Sequence, residues 1–97
     1  MPVVRKTARA RKDLGDIWHY VAEQAGPARA TRLLERLEAA ASLLASMPHM
    51  GRERPRLREG LRSWAVESYI ILYFPLPAGI SIVRVVHSRR NLEALFI

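Results

Sequence analysis

GLRSWAVESYIILYFPLPAGISIVRVVHSRRNLEALF, residues 60–96, contains three strand-like runs separated by short turns. Leu61 to Val66 reads as one strand. Tyr69 to Phe74 is a nearly continuous apolar run, the pattern of a strand covered on both faces. Pro75-Leu76-Pro77-Ala78-Gly79 is the turn signal that follows it. Ile80 to Val86 is a further apolar strand carrying a single charge, Arg84. This last strand delivers Arg84, His87, Arg89 and Arg90 to one edge of the fold.

Upstream of this block the periodicity changes from two to between three and four. Leu14, Ile17, Trp18, Val21, Ala22 and Ala25 share one helical face, with Thr7 as the expected cap. Gly26-Pro27 ends that helix and begins another, since proline suits the first helical position. The second helix turns Leu33, Leu34, Leu37, Ala40, Ala41 and Leu44 to one side. Its other side carries Arg29, Arg32, Glu35, Arg36 and Glu38 and should be wet. So tight a connection predicts an antiparallel helical hairpin. Val3 and Val4 suit a short opening strand, and HMGRERPRLREGLR after Met47-Pro48 reads as a loop rich in Gly, Pro and Arg, solvated and mobile from Arg52 to Arg58. Hairpin and sheet each have one apolar side, and packing them together is the two-layer solution open to a short chain. The expected fold is α+β: a short N-terminal strand, then an antiparallel two-helix hairpin packed on a small antiparallel β-sheet, in the order β-α-α-β-β-β. Trp18 and Trp64 are expected in the core or at its rim.

Length and composition narrow the chemistry. Ninety-seven residues imply one domain spanning 1–97, and 49% hydrophobic residues imply a globular one. Without cysteine there is no disulfide, thiolate nucleophile or thiolate metal site. The basic N-terminus lacks an apolar signal core, and no run is long enough to span a membrane, so a cytoplasmic protein without membrane contact is expected. The formal charge is +7, and arginine supplies 14 of the 16 basic residues. The flat guanidinium fork pairs bidentately with carboxylate or phosphate, which points to nucleic acid or an acidic protein segment as partner. A GC-rich coding bias accounts for Arg in place of Lys but not for the positive sign.

Five short segments, in order and at their spacings, carry a resemblance: Ile17-Trp18-His19-Tyr20-Val21-Ala22, Pro48-His49-Met50-Gly51-Arg52, Gly60-Leu61-Arg62-Ser63-Trp64, Tyr69-Ile70-Ile71-Leu72-Tyr73 and Arg84-Val85-Val86-His87-Ser88-Arg89-Arg90. They resemble ParE-type toxins of the RelE/ParE superfamily of type II toxin–antitoxin systems, over roughly residues 1–96. The resemblance implies a toxin without cofactor or catalytic residues. It would poison DNA gyrase and be neutralised in a hetero-oligomer by a ParD-like antitoxin. RelE-type relatives share this fold but cleave mRNA on the ribosome, so the residues must decide.

Cleavage at a 2′-OH needs a base, an acid and cations on the phosphorane. Arg62, Arg84 and His87 occupy corresponding segments, and Glu67 with His87 would make an acid–base pair. No tyrosine follows His87, however, and the tail offers no Tyr, His or Lys. The pattern R-V-x-H-x-x-R fits the ParE branch, with Arg89 and Asn91 where a small residue and an acid are usual. Arg84, His87, Arg89 and Arg90 are therefore the expected target-binding set, with direct nucleic-acid contact open to them. Arg52, Arg54, Arg56, Arg58 and Trp64 are the expected antitoxin-binding set. Three alternatives stay open. His87 is either an acid–base group or a strand-ending residue bonded to a loop. Arg84 either pairs with Glu67 or the C-terminal carboxylate, or faces a ligand. The chain is a gyrase poison, an mRNA endoribonuclease or a non-toxic binding remnant. His19, His49 and His87 show no metal-ligand spacing.

Overall fold

Thr7 opens the first helix in the computed structural model, which describes residues 1–96. Its Oγ1 accepts the Ala10 N–H at 3.1 Å, a cap that stabilises a helix by about 1 kcal/mol. Strand β1 (Val3–Lys6) precedes helix α1 (Ala8–Ala25), and α2 (Pro27–Ser46) follows after one residue. That residue, Gly26, has φ +92°. It donates to Ala22 O at 2.9 Å and accepts from Ala30 N–H at 3.2 Å, closing one helix and starting the next in a backbone region where a side chain would be strained. The Trp18 indole N–H donates to Thr31 Oγ1 at 3.2 Å and ties the two helices together on their outer side.

The strands are β2 (Arg52–Glu53), β3 (Arg62–Val66), β4 (Tyr69–Leu76) and β5 (Gly79–His87), followed by a 3-10 turn at Glu93–Phe96. Their order in the sheet is β1-β5-β4-β3-β2. β2 to β5 pair antiparallel, but β1 runs parallel to β5. The sheet is therefore mixed, because the helical hairpin is long enough to carry the chain back to the same end before it pairs. Parallel pairing starts at Val3 opposite Gly79, where a Cβ would strike the Val3 backbone. The β4–β5 turn is tighter than the expected 75–79: both strands run into it, and only Pro77 and Ala78 lie outside them. Pro75 is accommodated in β4 because pairing with β3 stops at Tyr73, leaving that stretch as an edge where a missing N–H does no harm.

β4 is buried on both faces, as its unbroken apolar run implied. Tyr69, Ile71 and Tyr73 join the main core with Ile17, Leu33, Leu37 and Leu44. Leu72 joins a second cluster on the opposite face with Leu61 and Val86, covered by Leu57 from the loop and by Leu92, Leu95 and Phe96 from the tail. The segment between β2 and β3 is knitted by its own backbone. Arg54 N–H donates to Leu61 O at 2.8 Å, and Leu57 and Arg58 N–H both return to Arg54 O. It is thus folded by its own backbone and seated on the sheet through Leu57, while Arg52, Arg56 and Arg58 stay exposed, as the composition suggested. Among the described residues, no helix is long and apolar enough to cross a membrane.

Candidate functional site

β1 ends at Lys6, opposite Ile82, while β5 continues to His87. Beyond Ile82 the β5 edge has lost its parallel neighbour, and unpaired backbone groups there would be costly. Residues at the start of α1 take over. Thr7 N–H donates to Ile82 O at 3.0 Å, and the Thr7 hydroxyl donates to Val83 O at 3.2 Å. Asp13 Oδ2 then accepts the Val85 N–H at 3.0 Å. A register shift at Leu72/Tyr73 places the extra β5 residue beside Arg84.

This geometry decides the role of Arg84. Its guanidinium grips Asp13 in a fork, Nε to Oδ2 at 2.8 Å and Nη2 to Oδ1 at 3.2 Å. The side chains are 13% and 8% exposed, so little water shares the pair. The Arg84 partner is Asp13 rather than Glu67; the C-terminal carboxylate, on Ile97, lies outside the described residues. Glu67, at φ +52° in the β3–β4 turn, is instead bracketed from α2 by Arg36 at 2.9 Å and Arg29 at 3.4 Å. His87 lies opposite Tyr69, rings edge to face at 5.3 Å. Its Nδ1 accepts the Arg89 N–H at 3.1 Å, and its carbonyl accepts the Arg90 N–H at 2.9 Å. The imidazole thus shapes the turn that presents Arg89 and Arg90.

Arg62 is equally engaged. Its Nη1 donates to His49 O at 2.8 Å and Gly51 O at 2.7 Å, and its Nη2 to Glu53 at 3.3 Å. Beside it the buried Tyr73 hydroxyl donates to Pro48 O at 2.8 Å and accepts the Gly51 N–H at 2.9 Å. Burial pushes the Tyr73 phenol above its ordinary value of 10.0, only partly offset by the Gly51 N–H and the Arg62 charge. Tyr69 is raised as well, again chiefly by burial. Together Arg62 and Tyr73 clamp the segment from Pro48 to Gly51 onto the sheet.

The expected residues thus separate into two groups. Arg84 and His87 line an open cleft of about 560 Å³ between α1 and the end of the sheet. Ile17, Tyr20 and Val21 of α1, Leu33 of α2 and Tyr69 of β4 supply its apolar part, and Arg90 stands at its edge. Tyr20 is 61% exposed there. Arg52, Arg54, Arg56 and Arg90 border a separate open cleft of about 540 Å³ between the β2–β3 turn and the tail. Arg58 lies close by, stacked over Phe96 at 5.3 Å. Arg54 is held by Nε donation to Ser63 Oγ at 2.8 Å; burial and then the neighbouring Arg52 charge push its pKa down. Trp64 stands apart from these arginines, packed against the helix-side core. Among the described residues, Arg90 alone borders both clefts.

Asp13 and Tyr73 are the residues that sequence reasoning missed. Asp13 carried a faint signal, a carboxylate on the apolar face of α1 one turn before Ile17. Tyr73 carried none beyond its place in an apolar run and at the end of one of the five resembling segments. Among the described residues, no three or more His, Asp or Glu side chains gather closely enough to hold a metal ion.

Comparison with known proteins agrees with this geometry. Residues 4–92 match the model of the ParE toxin of type II toxin–antitoxin systems, parDE. Toxin ParE1 of Caulobacter vibrioides is 33% identical over 94 residues, covering 97% of each chain. Toxin ParE3 of the same organism is 33% identical over 91 residues, covering 94% of this chain and 91% of that one. A structure from a chromosomal ParDE TA system of P. aeruginosa shares the fold, with a TM-score of 0.76 at 21% identity over 90% of this chain and 96% of that one. The chain belongs to the ParE toxin family of type II toxin–antitoxin systems.

Proposed function

We propose that this toxin poisons DNA gyrase without catalysing a reaction of its own, and that a ParD-like antitoxin holds it inactive in the cytoplasm. One observation carries the non-enzymatic reading: the groups a nuclease would need are already engaged in architecture. Arg62 serves the His49 and Gly51 carbonyls, Arg84 serves Asp13, and Glu67 serves Arg29 and Arg36. His87 Nδ1 takes an amide proton from its own turn. Turning Arg84 toward a scissile phosphate would leave the nearly buried Asp13 with the half-exposed Arg9 at 3.5 Å in place of its close, forked partner, a penalty larger than a single phosphate contact returns. The exposed Arg89 and Arg90, on the turn that His87 organises, are left to make the target contact.

The cleft between α1 and β5 suits the antitoxin. Ile17, Val21, Leu33 and Tyr69 offer the main anchorage, which is apolar and does not depend on Arg90, while Arg29 and Arg90 add complements to acidic side chains. A segment lying there would cover Arg90 and so mask the edge that meets the target.

Gyrase supercoiling of relaxed plasmid with ATP tests the reading. The purified chain should abolish supercoiling and accumulate linear plasmid, and Arg89→Ala with Arg90→Ala should restore supercoiling while co-purification with the antitoxin persists. An unaffected gyrase alongside mRNA cleavage in a translating extract would replace this reading with the endoribonuclease one. Harmless expression without antitoxin would replace it with a binding remnant.

A further inference from the structure

Of the arginines of the β2–β3 turn and of the tail, Arg54 and Arg62 are tied to Ser63 and to the His49 and Gly51 carbonyls, and Arg90 also lines the α1–β5 cleft; Arg52, Arg56, Arg58 and Arg89 serve neither. Across residues 52–62 and 88–93 stand seven arginines against three glutamates. Within the described residues, Arg62 alone of the seven is in an ion pair, with Glu53. The surplus is held together by folded backbone: the turn is closed by its own hydrogen bonds, and Arg54 is pinned to Ser63. Like charges side by side repel each other: after burial, the larger cause, the Arg52 charge also lowers the Arg54 pKa, and an anion would relieve that repulsion. Glu53 and Glu93 also border this cleft, but Glu53 is engaged with Arg62.

We infer that Arg52, Arg56, Arg58, Arg89 and Arg90 form a surface for the phosphate backbone of duplex DNA. The inference goes beyond gyrase poisoning and does not depend on it, because it concerns the toxin and DNA alone. Backbone binding needs presented cations and little else, and that is what this surface offers. Leu57 and Leu92 pack against the second apolar cluster, so among the described residues this surface has no exposed apolar anchor of the kind protein interfaces require. Single-stranded nucleic acid wants aromatic platforms on which bases stack. Phe74 packs against the second cluster, Trp64 against the main core, and Phe96 lies beneath Arg58. Phosphate contact without base readout is what remains, so binding should be indifferent to sequence.

Fluorescence polarisation with a labelled duplex of about 20 base pairs, titrated from about 50 to about 200 mM salt, tests this. With roughly four phosphates neutralised, affinity should fall about 100-fold across that range. Replacing Arg52, Arg56 and Arg58 together by Gln should weaken binding more than tenfold at low salt and flatten the salt dependence. A charge-matched variant replacing Arg5, Arg11 and Arg32 by Gln removes exposed arginines elsewhere and should change binding far less. Circular dichroism melting of both variants separates lost binding from lost fold. Equal weakening by the two variants would reduce the surface to net charge and overturn the assignment, as would no binding at low salt. Tighter binding of a single strand would overturn the duplex, and tighter binding of a glutamate-rich peptide would hand the surface to an acidic protein segment.

Discussion

Two groups of arginines in one small fold have opposite fates. On the helix side Arg84, Arg29 and Arg36 each meet a carboxylate, with Arg84 nearly buried against Asp13. On the turn and tail the exposed Arg52, Arg56, Arg58, Arg89 and Arg90 meet none among the described residues. Residue type is the same, so the difference is one of position: the first group closes gaps where strands and helices meet, and the second faces outward. A charge held by a partner at low exposure is committed to the fold, whereas a charge left in water remains available for binding.

Removing Asp13 should break the first side most. Asp13→Ala strands Arg84 and the Val85 N–H together, and urea unfolding should show a loss of about 3 kcal/mol. Asp13→Asn with Arg84→Met removes the charge pair while keeping an acceptor for Val85, and should recover most of that loss. If the double variant is no more stable than Asp13→Ala, the pair is not what the site depends on.

Tyr73→Phe comes next. It leaves Pro48 O and the Gly51 N–H without their partner in a buried place, at about 2 kcal/mol by urea unfolding. The pH dependence follows from the same burial. Folded Tyr73 and Tyr69 hold their protons above the ordinary value of 10.0, so the unfolded chain releases them first as pH rises. Their contribution is fully present below pH 10 and is lost as pH climbs from there through the raised folded values. Alkaline melts should show this decline, smaller in Tyr73→Phe.

Glu67→Gln should cost less than about 1 kcal/mol, because Arg29 and Arg36 are more than half exposed and water screens both pairs. That small cost should shrink further in molar salt. Smallest of all is the triple change of Arg52, Arg56 and Arg58, expected to alter stability by no more than about 0.5 kcal/mol. A large loss there would mean the outward arginines are structural after all, and the contrast between the two groups would collapse.

Legibility in the sequence followed range. The helical hairpin could be read from Leu33, Leu37, Ala41 and Leu44, because those positions lie on one face by local geometry. The Thr7 cap and the Gly26-Pro27 break were legible for the same reason, each acting within one helical turn. The Arg84 partner was not: Asp13 lies 71 residues away, and sequence spacing ranks no carboxylate above another at such distances. The parallel setting of β1 was equally hidden, since Val3 and Val4 suit either direction of pairing. So was the fold of the Arg52–Arg58 turn, whose composition suggests a loop but whose Leu57 is drawn onto the sheet.

By itself, then, the sequence determined the element types, the two-layer packing, the cationic character and, through five ordered segments, the family. These depend on periodicity and composition, which act locally or add up over the whole chain. Only the tertiary structure decided which arginines are held and which are free to bind. That division depends on where β1 ends against β5 and which side chains close the gap, and such distances are set by the packed whole.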